Sequence, residues 1–355
     1  MSVLILELGN SHIECTYTFV HLLKIKKQKI HLICNKSLFD LFPLKSKLDG
    51  FALVPDGFDF FSSLKTIFFI RKYVIQHKID RIIFNTTEIK IIRNFFMIMP
   101  FGIKSFGLFH NAKKLEGGST VRNIFALRMK KYFLLGNHLA NNTRVIKGLS
   151  VFSFFPVYFP PPKEVELRKN KDELWVTIIG SVNLERRDFR PLIDLISKRS
   201  FKSNIRFVFL GKNYHADEFK YLINTEQWWK DYIISFDDIV DYDLFHNYVQ
   251  LSDIILPLIK MKDDITYGHQ RITGSYNVGI GYQKPFLLPY HVKNEDIDPF
   301  TIYYETYDDL INILNNIGDY NEKISIIREN YITSPLIDYH LQANRLSDFM
   351  ELRPD

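Results

Sequence analysis

The segment ITGSYNVGIGYQKPFLLP, residues 272–289, decides how the whole chain is interpreted. It passes from the polar residues 273–275 through a helix-length run of small residues, and it closes on a Lys-Pro pair and an apolar strand. The small residues have two explanations. Either the helix backbone packs closely against a sheet, or a ligand approaches the start of the helix.

Short apolar runs alternate with amphipathic segments on both sides of this segment, which predicts repeated βα units. In the second half the predicted strands are LWVTIIG, IRFVFLG, YIISF, DIILPLI, PFLLP and TIYYE. In the first half they are SVLILEL, IHLIC, RIIFN, IKSFGLF and KYFLL, with a helix over residues 13–23 after the first. The sequence therefore predicts an α/β protein built from two Rossmann-like parallel-sheet domains.

A proline-rich stretch separates the two series of strands. VFSFFPVYFPPPKE contains three consecutive prolines, which continue neither a helix nor a central strand, so this stretch is the predicted linker. We therefore expect one domain over residues 1–160 and a second over residues 161–335. Helices are predicted over residues 320–330 and 339–349. The C-terminal helix, within residues 336–355, is a candidate to pack back on the first domain.

Composition narrows the class of protein. The 355 residues are 46% hydrophobic and 24% charged, as in soluble globular proteins. No apolar run reaches the roughly 18 residues of a membrane span, and the N-terminus lacks the features of a secretory signal. Cys15 and Cys34 are too few for a disulfide framework or a zinc site. A cytoplasmic protein with reduced thiols is expected.

The net charge of +6 favours anionic partners in general. Because no aromatic-basic signature of an RNA-binding module occurs, no nucleic-acid partner is predicted. In residues 89–114, IKIIRNFFMIMPFGIKSFGLFHNAKK, Lys and Arg alternate with Phe, Ile and Met. Such a segment suits either an anionic membrane surface or a buried strand and helix with solvated lysines. The first alternative would place the protein peripherally at the inner face of the cell membrane.

In an open parallel sheet, ligands bind at the carboxyl ends of the strands. In the second half, glycines, basic residues and the start of a helix follow the carboxyl ends of the strands. Exposed backbone N–H groups and positive charge at one place are the features that bind a diphosphate. The plainer alternative is that the hydroxyls only cap the helix and that the arginines are solvated. The candidate donor-binding residues are Gly180, Ser181, Arg186, Arg187, Gly211, Lys212, Thr273, Gly274 and Ser275.

Catalytic candidates come from the first half. His12 and Glu14 follow the first strand, and His110 ends another strand on the same side. A histidine or a perturbed carboxylate is the natural general base near neutral pH. The pairs of aspartates within residues 237–243 invite a D-x-D metal interpretation, but Asp241 or Asp243 more simply caps a helix, so no metal site is predicted.

Residues 172–350 resemble the nucleotide-binding half of GT-B-fold glycosyltransferases, especially the large retaining group with an E-x7-E motif. The matching pieces are WVTIIGSVNLERR, IRFVFLGKN, LFHNYVQLSDIILPLI and ITGSYNVGIGYQKPFLLP. The first half resembles the acceptor domain in architecture only. The resemblance implies two Rossmann-like domains that face a cleft, with the donor held by the second. Arg186 or Arg187 lies where the family has a phosphate-binding Lys or Arg.

The sequence also departs from the family. Alignment on Pro285 places the two glutamates of the motif at Gln270 and Val278, so both are absent. The loop SFDDIV, which contains Phe236 and Val240, lies where members of the family bind the nucleobase of the donor.

The resemblance implies transfer of a sugar from a nucleoside-diphosphate donor to a saccharide or lipid-linked acceptor, as in surface polysaccharide biosynthesis, without a metal cofactor. The missing glutamates leave a catalytically silent GT-B-like protein, binding a nucleotide sugar or a partner, as the alternative. A two-domain small-molecule binding module without nucleotide specificity is the third possibility.

Overall fold

The protein consists of two compact units, each built on its own parallel sheet. In this computed structural model, the described residues are 1–9, 12–57, 59–116, 125–184, 187–214, 231–261 and 270–352. Over these residues, the first unit contains 1–160, 270–272 and 335–352, and the second contains 161–261 and 273–334.

The first unit contains a seven-stranded parallel sheet in the order β3-β2-β1-β4-β5-β6-β7. Its strands are β1 (Ser2–Glu7), β2 (Lys29–Asn35), β3 (Gly50–Val54), β4 (Arg81–Phe84), β5 (Lys104–Phe109), β6 (Lys131–Leu135) and β7 (Ser150–Phe154). Its helices before the linker are α1 (Ile13–Ile25), α2 (Lys36–Asp40), α3 (Phe60–Gln76), α4 (Lys90–Ile98), α5 (Ala126–Arg128) and α6 (Asn137–Asn142). The predicted strands β1, β2, β4, β5 and β6 are all confirmed.

Two strands of this sheet differ from the sequence prediction. β3 was not predicted, because its apolar run, FALV, is short and such a run does not distinguish a strand from part of a helix. The start of the predicted linker was wrong: residues 150–154 form β7, which pairs with β6. The prolines that suggested a linker follow this strand.

Large apolar side chains of α4 and β5, within residues 89–114, lie in the core of the first unit. Ile92 and Phe95 on α4 are 1% and 0% exposed, and Phe106 on β5 is 2% exposed. The alternative of a buried strand and helix therefore describes this segment. Phe101 is the exception, at 93% exposed, with the Arg128 guanidinium 4.6 Å from its ring centroid.

The second unit contains a six-stranded parallel sheet in the order β10-β9-β8-β11-β12-β13. Its strands are β8 (Leu174–Ile179), β9 (Ile205–Lys212), β10 (Ile233–Phe236), β11 (Ile254–Ile255), β12 (Phe286–Pro289) and β13 (Thr301–Tyr304). Its helices are α7 (Phe189–Ser197), α8 (Tyr242–Leu251), α9 (Gly274–Gly281), α10 (Tyr307–Asn315) and α11 (Asn321–Ile332). Within DIILPLI only β11 is a strand, since Pro257 cannot donate a hydrogen bond to the ladder.

The C-terminal helix, α12 (Tyr339–Met350), belongs to the first unit and packs against α1. The Arg81 guanidinium fixes its end, because Nε donates to the Met350 carbonyl at 2.9 Å. The Phe349 ring packs on Phe152 with centroids 5.0 Å apart. None of the described helices is long and apolar enough to cross a bilayer.

Candidate functional site

The three predicted catalytic residues of the first unit lie together. His12 precedes α1 in the left-handed region, with φ of 68°, and His110 directly follows β5. Their imidazole rings stack with centroids 3.7 Å apart and an interplanar angle of 17°. His12 Nδ1 lies 3.4 Å from Glu14 Oε1. The contact arises because β1 and β5 both flank β4, so their carboxyl ends meet at one edge of the sheet.

His110 is a buried, neutral histidine with an unused acceptor. Burial, and then the charge of His12, lower the pKa of His110 to about 4. Its Nε2 lies 2.9 Å from the Asn85 carbonyl oxygen, so the neutral ring donates from Nε2 and leaves Nδ1 as a hydrogen-bond acceptor. Nδ1 is buried and has no hydrogen-bond partner among the described residues. A buried acceptor without a partner is uncommon in folded proteins.

His12 has the opposite electrostatic character. Burial pushes the pKa of His12 down, but the hydrogen bond and charge of Glu14 and the charge of Glu7 raise it above its usual value. The pKa of Glu14 is lowered: its burial is outweighed by the hydrogen bond and charge of His12. His12 and Glu14 therefore form a polarised pair, and His12 keeps its proton to higher pH than His110.

Glu7 supports the loop that carries His12, and sequence reasoning did not assign it a role. Its carboxylate accepts hydrogen bonds from Gly9 N at 2.5 Å, Asn85 Nδ2 at 2.6 Å and Thr86 Oγ1 at 2.7 Å. Asn85 Nδ2 also donates to the His12 carbonyl at 3.0 Å. Desolvation raises the pKa of Glu7 despite these hydrogen bonds. The signal in the sequence was a lone carboxylate ending an otherwise apolar strand, SVLILE.

In the second unit, α9 starts with buried capping residues on either side of an exposed glycine. Thr273 Oγ1 accepts a hydrogen bond from Ser275 N at 3.4 Å, and Ser275 Oγ donates to the Ile179 carbonyl at 3.1 Å. Both hydroxyl residues are buried, and they join α9 to the end of β8. Gly274 is exposed, and a Cβ built on it would meet no atom within 4 Å. The accessible part of this helix terminus is therefore the Gly274 backbone.

The turn after β8 is shaped by two glycines and an arginine. Gly180 has φ of +104°, which favours glycine, and Arg187 Nη1 donates to the Ile179 carbonyl at 2.6 Å. A Cβ on Gly211 would lie 2.4 Å from the Gly180 carbonyl oxygen, so strand packing requires this glycine. Arg186 lies outside the described residues.

The remaining donor-binding candidates follow β8, β9 and β10. Lys212 ends β9, and its Nζ lies 3.9 Å from Asp238 Oδ1. A register shift pairs Phe236 with Lys212, and the Phe236 ring makes an edge contact with Tyr248 at 5.4 Å. Ser181 and Val240 are half-buried.

No family model and no curated protein matches this chain. Solved structures do match, each at low sequence identity. HepE from Anabaena, crystallised with UDP and glucose, has a TM-score of 0.65 and 12% identity, with 99% of both chains covered. A glycosyltransferase from Rickettsia africae ESF-5 has a TM-score of 0.63 and 15% identity over 99% of this chain and 98% of that chain. This chain has the GT-B fold. UDP-GlcNAc 2-epimerase from Methanocaldococcus jannaschii matches too, with a TM-score of 0.56 and 13% identity over 99% of this chain and 100% of that chain.

Within this GT-B fold, both explanations for the small residues of α9 apply, at different positions. A Cβ on Gly279 would lie 2.3 Å from the Phe286 ring, so Gly279 lets α9 pack on β12. Gly274, in contrast, faces open space. Val278, at the position of the second family glutamate, is 7% exposed.

The aspartates near α8 have a structural role. Asp241 caps this helix by accepting hydrogen bonds from Asp243 N at 2.9 Å and Leu244 N at 3.5 Å. In the part of the chain that the structure describes, no three His, Cys, Asp or Glu side chains are grouped to hold a metal ion.

Proposed function

We propose that the protein is a glycosyltransferase that moves a sugar from a nucleoside-diphosphate donor to a saccharide or lipid-linked acceptor. One observation carries the proposal. The Ile179 carbonyl accepts hydrogen bonds from both Ser275 and Arg187, which brings the exposed start of α9, the Gly180 turn and a guanidinium to one point of the second sheet. The crystal structure of HepE with UDP and glucose supports a nucleotide sugar as the ligand of this fold.

In this proposal, the donor diphosphate lies at the start of α9. The backbone at Gly274 and the positive end of the helix dipole attract the phosphates. Arg186, Arg187 and Lys212 supply positive charge that offsets the charge on the departing diphosphate, so no metal cofactor is invoked. Phe236 and Val240 would contact the nucleobase beyond β10.

The first unit supplies the acceptor-binding and catalytic groups in this proposal. A pKa of about 4 makes His110 a weak base near neutral pH, so its Nδ1 accepts a hydrogen bond from a sugar hydroxyl rather than removing a proton. His12, with its raised pKa, is better matched to proton transfer, and Glu14 orients it.

The setting we propose is surface polysaccharide biosynthesis, with the protein in the cytoplasm. The acceptor class follows from the resemblance of the second half to the retaining glycosyltransferases. Screening of saccharide and lipid-linked acceptors, with the nucleotide identified first, is the direct route to it.

The position of Val278 favours a second candidate function. The family glutamate that it replaces contacts donor hydroxyls, and a buried valine makes no such hydrogen bond. A protein that binds a nucleotide sugar without transferring the sugar would keep the phosphate-binding features and dispense with this contact. Turnover with any acceptor excludes this second candidate.

The test begins with calorimetric titration of UDP, GDP, CDP and ADP and their common sugar conjugates. We expect one nucleotide to bind selectively, and Arg186→Ala with Arg187→Ala to abolish that binding. Arg168→Ala with Arg328→Ala is the matched control, because both residues are exposed and belong to the same unit. Arg187 also donates a hydrogen bond to the Ile179 carbonyl, so its loss could reduce stability. Thermal unfolding of each variant is therefore measured as well.

Binding that is unchanged in the Arg186/Arg187 double variant would refute the assigned site, and no binding across the panel would refute the donor class. Product analysis then separates glycosyl transfer from epimerisation, the activity named for one of the matched structures. Release of nucleoside diphosphate that depends on an acceptor supports transfer. Conversion of a nucleotide sugar to its epimer without any acceptor contradicts it.

A further inference from the structure

The outer face of α3 exposes an apolar stripe. The inner face of this helix is buried through Ile67, Ile70 and Val74, which are 2%, 0% and 2% exposed. The outer face nevertheless carries large apolar side chains that lie three, four and seven residues apart, within about 60° of the helix circumference. These are Phe61 at 73% exposed, Leu64 at 40%, Phe68 at 58% and Ile75 at 53%.

The charged residues on α3 and just after it are basic, while an exposed carboxylate, Asp59, caps its start near Lys65. Residues 60–79 contain Lys65, Arg71, Lys72 and Lys78 and no Asp or Glu. All four cations are exposed. At 100° per residue, Lys65 and Lys72 flank one side of the apolar stripe and Arg71 flanks the other. None of the four makes an ion pair with a residue that the structure describes.

We propose that this face of α3 docks on an anionic lipid bilayer. Phe61, Leu64, Phe68 and Ile75 would enter the boundary between headgroups and acyl chains, while the lysines and arginine contact lipid phosphates. Exposed aromatic and aliphatic residues interleaved with cations are the composition of a membrane-surface helix. The docking does not depend on catalysis, and it places the membrane-facing surface on α3 rather than on residues 89–114.

A second copy of the chain fits this face less well. A two-fold symmetric contact through α3 would set the same surface against itself and bring Lys65, Arg71 and Lys72 close to their own counterparts. The Asp59 carboxylate at the start of α3 offsets part of that repulsion near Lys65, but residues 60–79 contain no carboxylate to offset it at Arg71 and Lys72. An anionic surface supplies the complementary charge that a second copy lacks.

The test is flotation of the full-length protein with vesicles at low salt. We expect binding to vesicles of phosphatidylcholine with phosphatidylglycerol, weak binding to phosphatidylcholine alone, and release as salt rises. Each lysine near an anionic surface strengthens binding about fivefold, so the double substitution Lys65→Gln with Lys72→Gln should weaken binding about 25-fold. Phe61→Ser with Phe68→Ser should weaken it at least tenfold, since exposed side chains are replaced without disturbing the core.

The matched control is Lys323→Gln with Ile332→Ser on α11, where Lys323 is exposed and Ile332 is 78% exposed. This variant should bind vesicles as the wild type does. The proposal is overturned if the wild type ignores anionic vesicles, or if both α3 variants bind as tightly as the control. A dimer in sedimentation that the phenylalanine substitutions dissociate would overturn it in favour of a second copy. Circular dichroism verifies that each variant is folded. If the variant with both phenylalanine substitutions unfolds, vesicle binding by the variant with both lysine substitutions still tests the proposal.

Discussion

The rings of His12 and His110 are stacked with centroids 3.7 Å apart, and their pKa values are shifted in opposite directions. His110 is buried beside a positive neighbour, whereas His12 is surrounded by the carboxylates of Glu14 and Glu7. One member of the pair is thereby held neutral while the other retains a proton more readily. The opposite shifts follow from two causes: burial and a positive neighbour disfavour the charged form of His110, and nearby carboxylates favour the charged form of His12.

NMR titration of the imidazole groups tests this asymmetry. We expect the His110 ring to stay neutral, with its hydrogen on Nε2, until the pH approaches about 4. The His12 ring should titrate above the usual value of about 6.5. His12→Asn removes the positive neighbour and should raise the pKa of His110. Titration of both rings near 6.5 in the wild type would contradict the arrangement.

The same asymmetry predicts how stability depends on pH. The pKa of His110 falls from about 6.5 in the unfolded chain to about 4 in the fold. Between these values the unfolded chain binds a proton that the native state does not, so stability decreases as pH falls from about 6.5 to about 4. His12, with a raised pKa, is already protonated in both states over most of this window and contributes little to the slope.

Urea unfolding of the wild type and of His110→Asn at several pH values measures this effect. The variant should lose less stability than the wild type as the pH falls from about 6.5 toward about 4. Equal slopes for the two proteins would mean that His110 is protonated in the native state. His12→Asn should also reduce the slope in this window, because it raises the pKa of His110 toward the value in the unfolded chain.

Glycine-to-alanine substitutions distinguish close packing from open space. Gly211→Ala places a Cβ 2.4 Å from the Gly180 carbonyl oxygen, where only backbone movement relieves the clash. It should lower the free energy of unfolding by about 1–3 kcal/mol. Gly274→Ala meets no atom within 4 Å and should leave stability unchanged or raise it by less than about 1 kcal/mol.

Urea unfolding of both alanine variants makes this comparison directly, because the chemical change is identical. A loss at Gly274 as large as the loss at Gly211 would show that the space beside Gly274 is filled in solution. Under the proposed function, Gly274→Ala should still weaken nucleotide binding, because the added methyl group lies at the exposed start of α9.

The sequence predicted the parallel sheets because their central strands are continuous apolar runs, such as SVLILEL and LWVTIIG. It missed β3 because FALV, at the edge of the sheet, is too short an apolar run to be distinguished from part of a helix. It placed His12 and His110 after strands on the same side of the sheet, but did not predict their stacking, which depends on the order of the strands. The role of Glu7 depends on partners 78 and 79 residues away, which no local pattern contains.

Glu7 provides the last prediction, because a buried carboxylate with three donors is difficult to replace. Glu7→Ala leaves Gly9 N, Asn85 Nδ2 and Thr86 Oγ1 without this acceptor, in a site where Glu7 and Asn85 are 0% exposed. We expect the free energy of unfolding to fall by about 3 kcal/mol. The loop that carries His12 should also loosen, because Asn85 donates to both Glu7 and the His12 carbonyl.

Glu14→Ala is the control, since the Glu14 side chain is 26% exposed and its carboxylate pairs with His12 Nδ1. It should reduce stability less than Glu7→Ala and should lower the pKa of His12 by removing its nearest negative charge. Urea unfolding measures the first difference and imidazole NMR the second. If Glu7→Ala and Glu14→Ala prove equally mild, the hydrogen bonds to Glu7 do not hold the loop, and His12 must be positioned by its stacking on His110 instead.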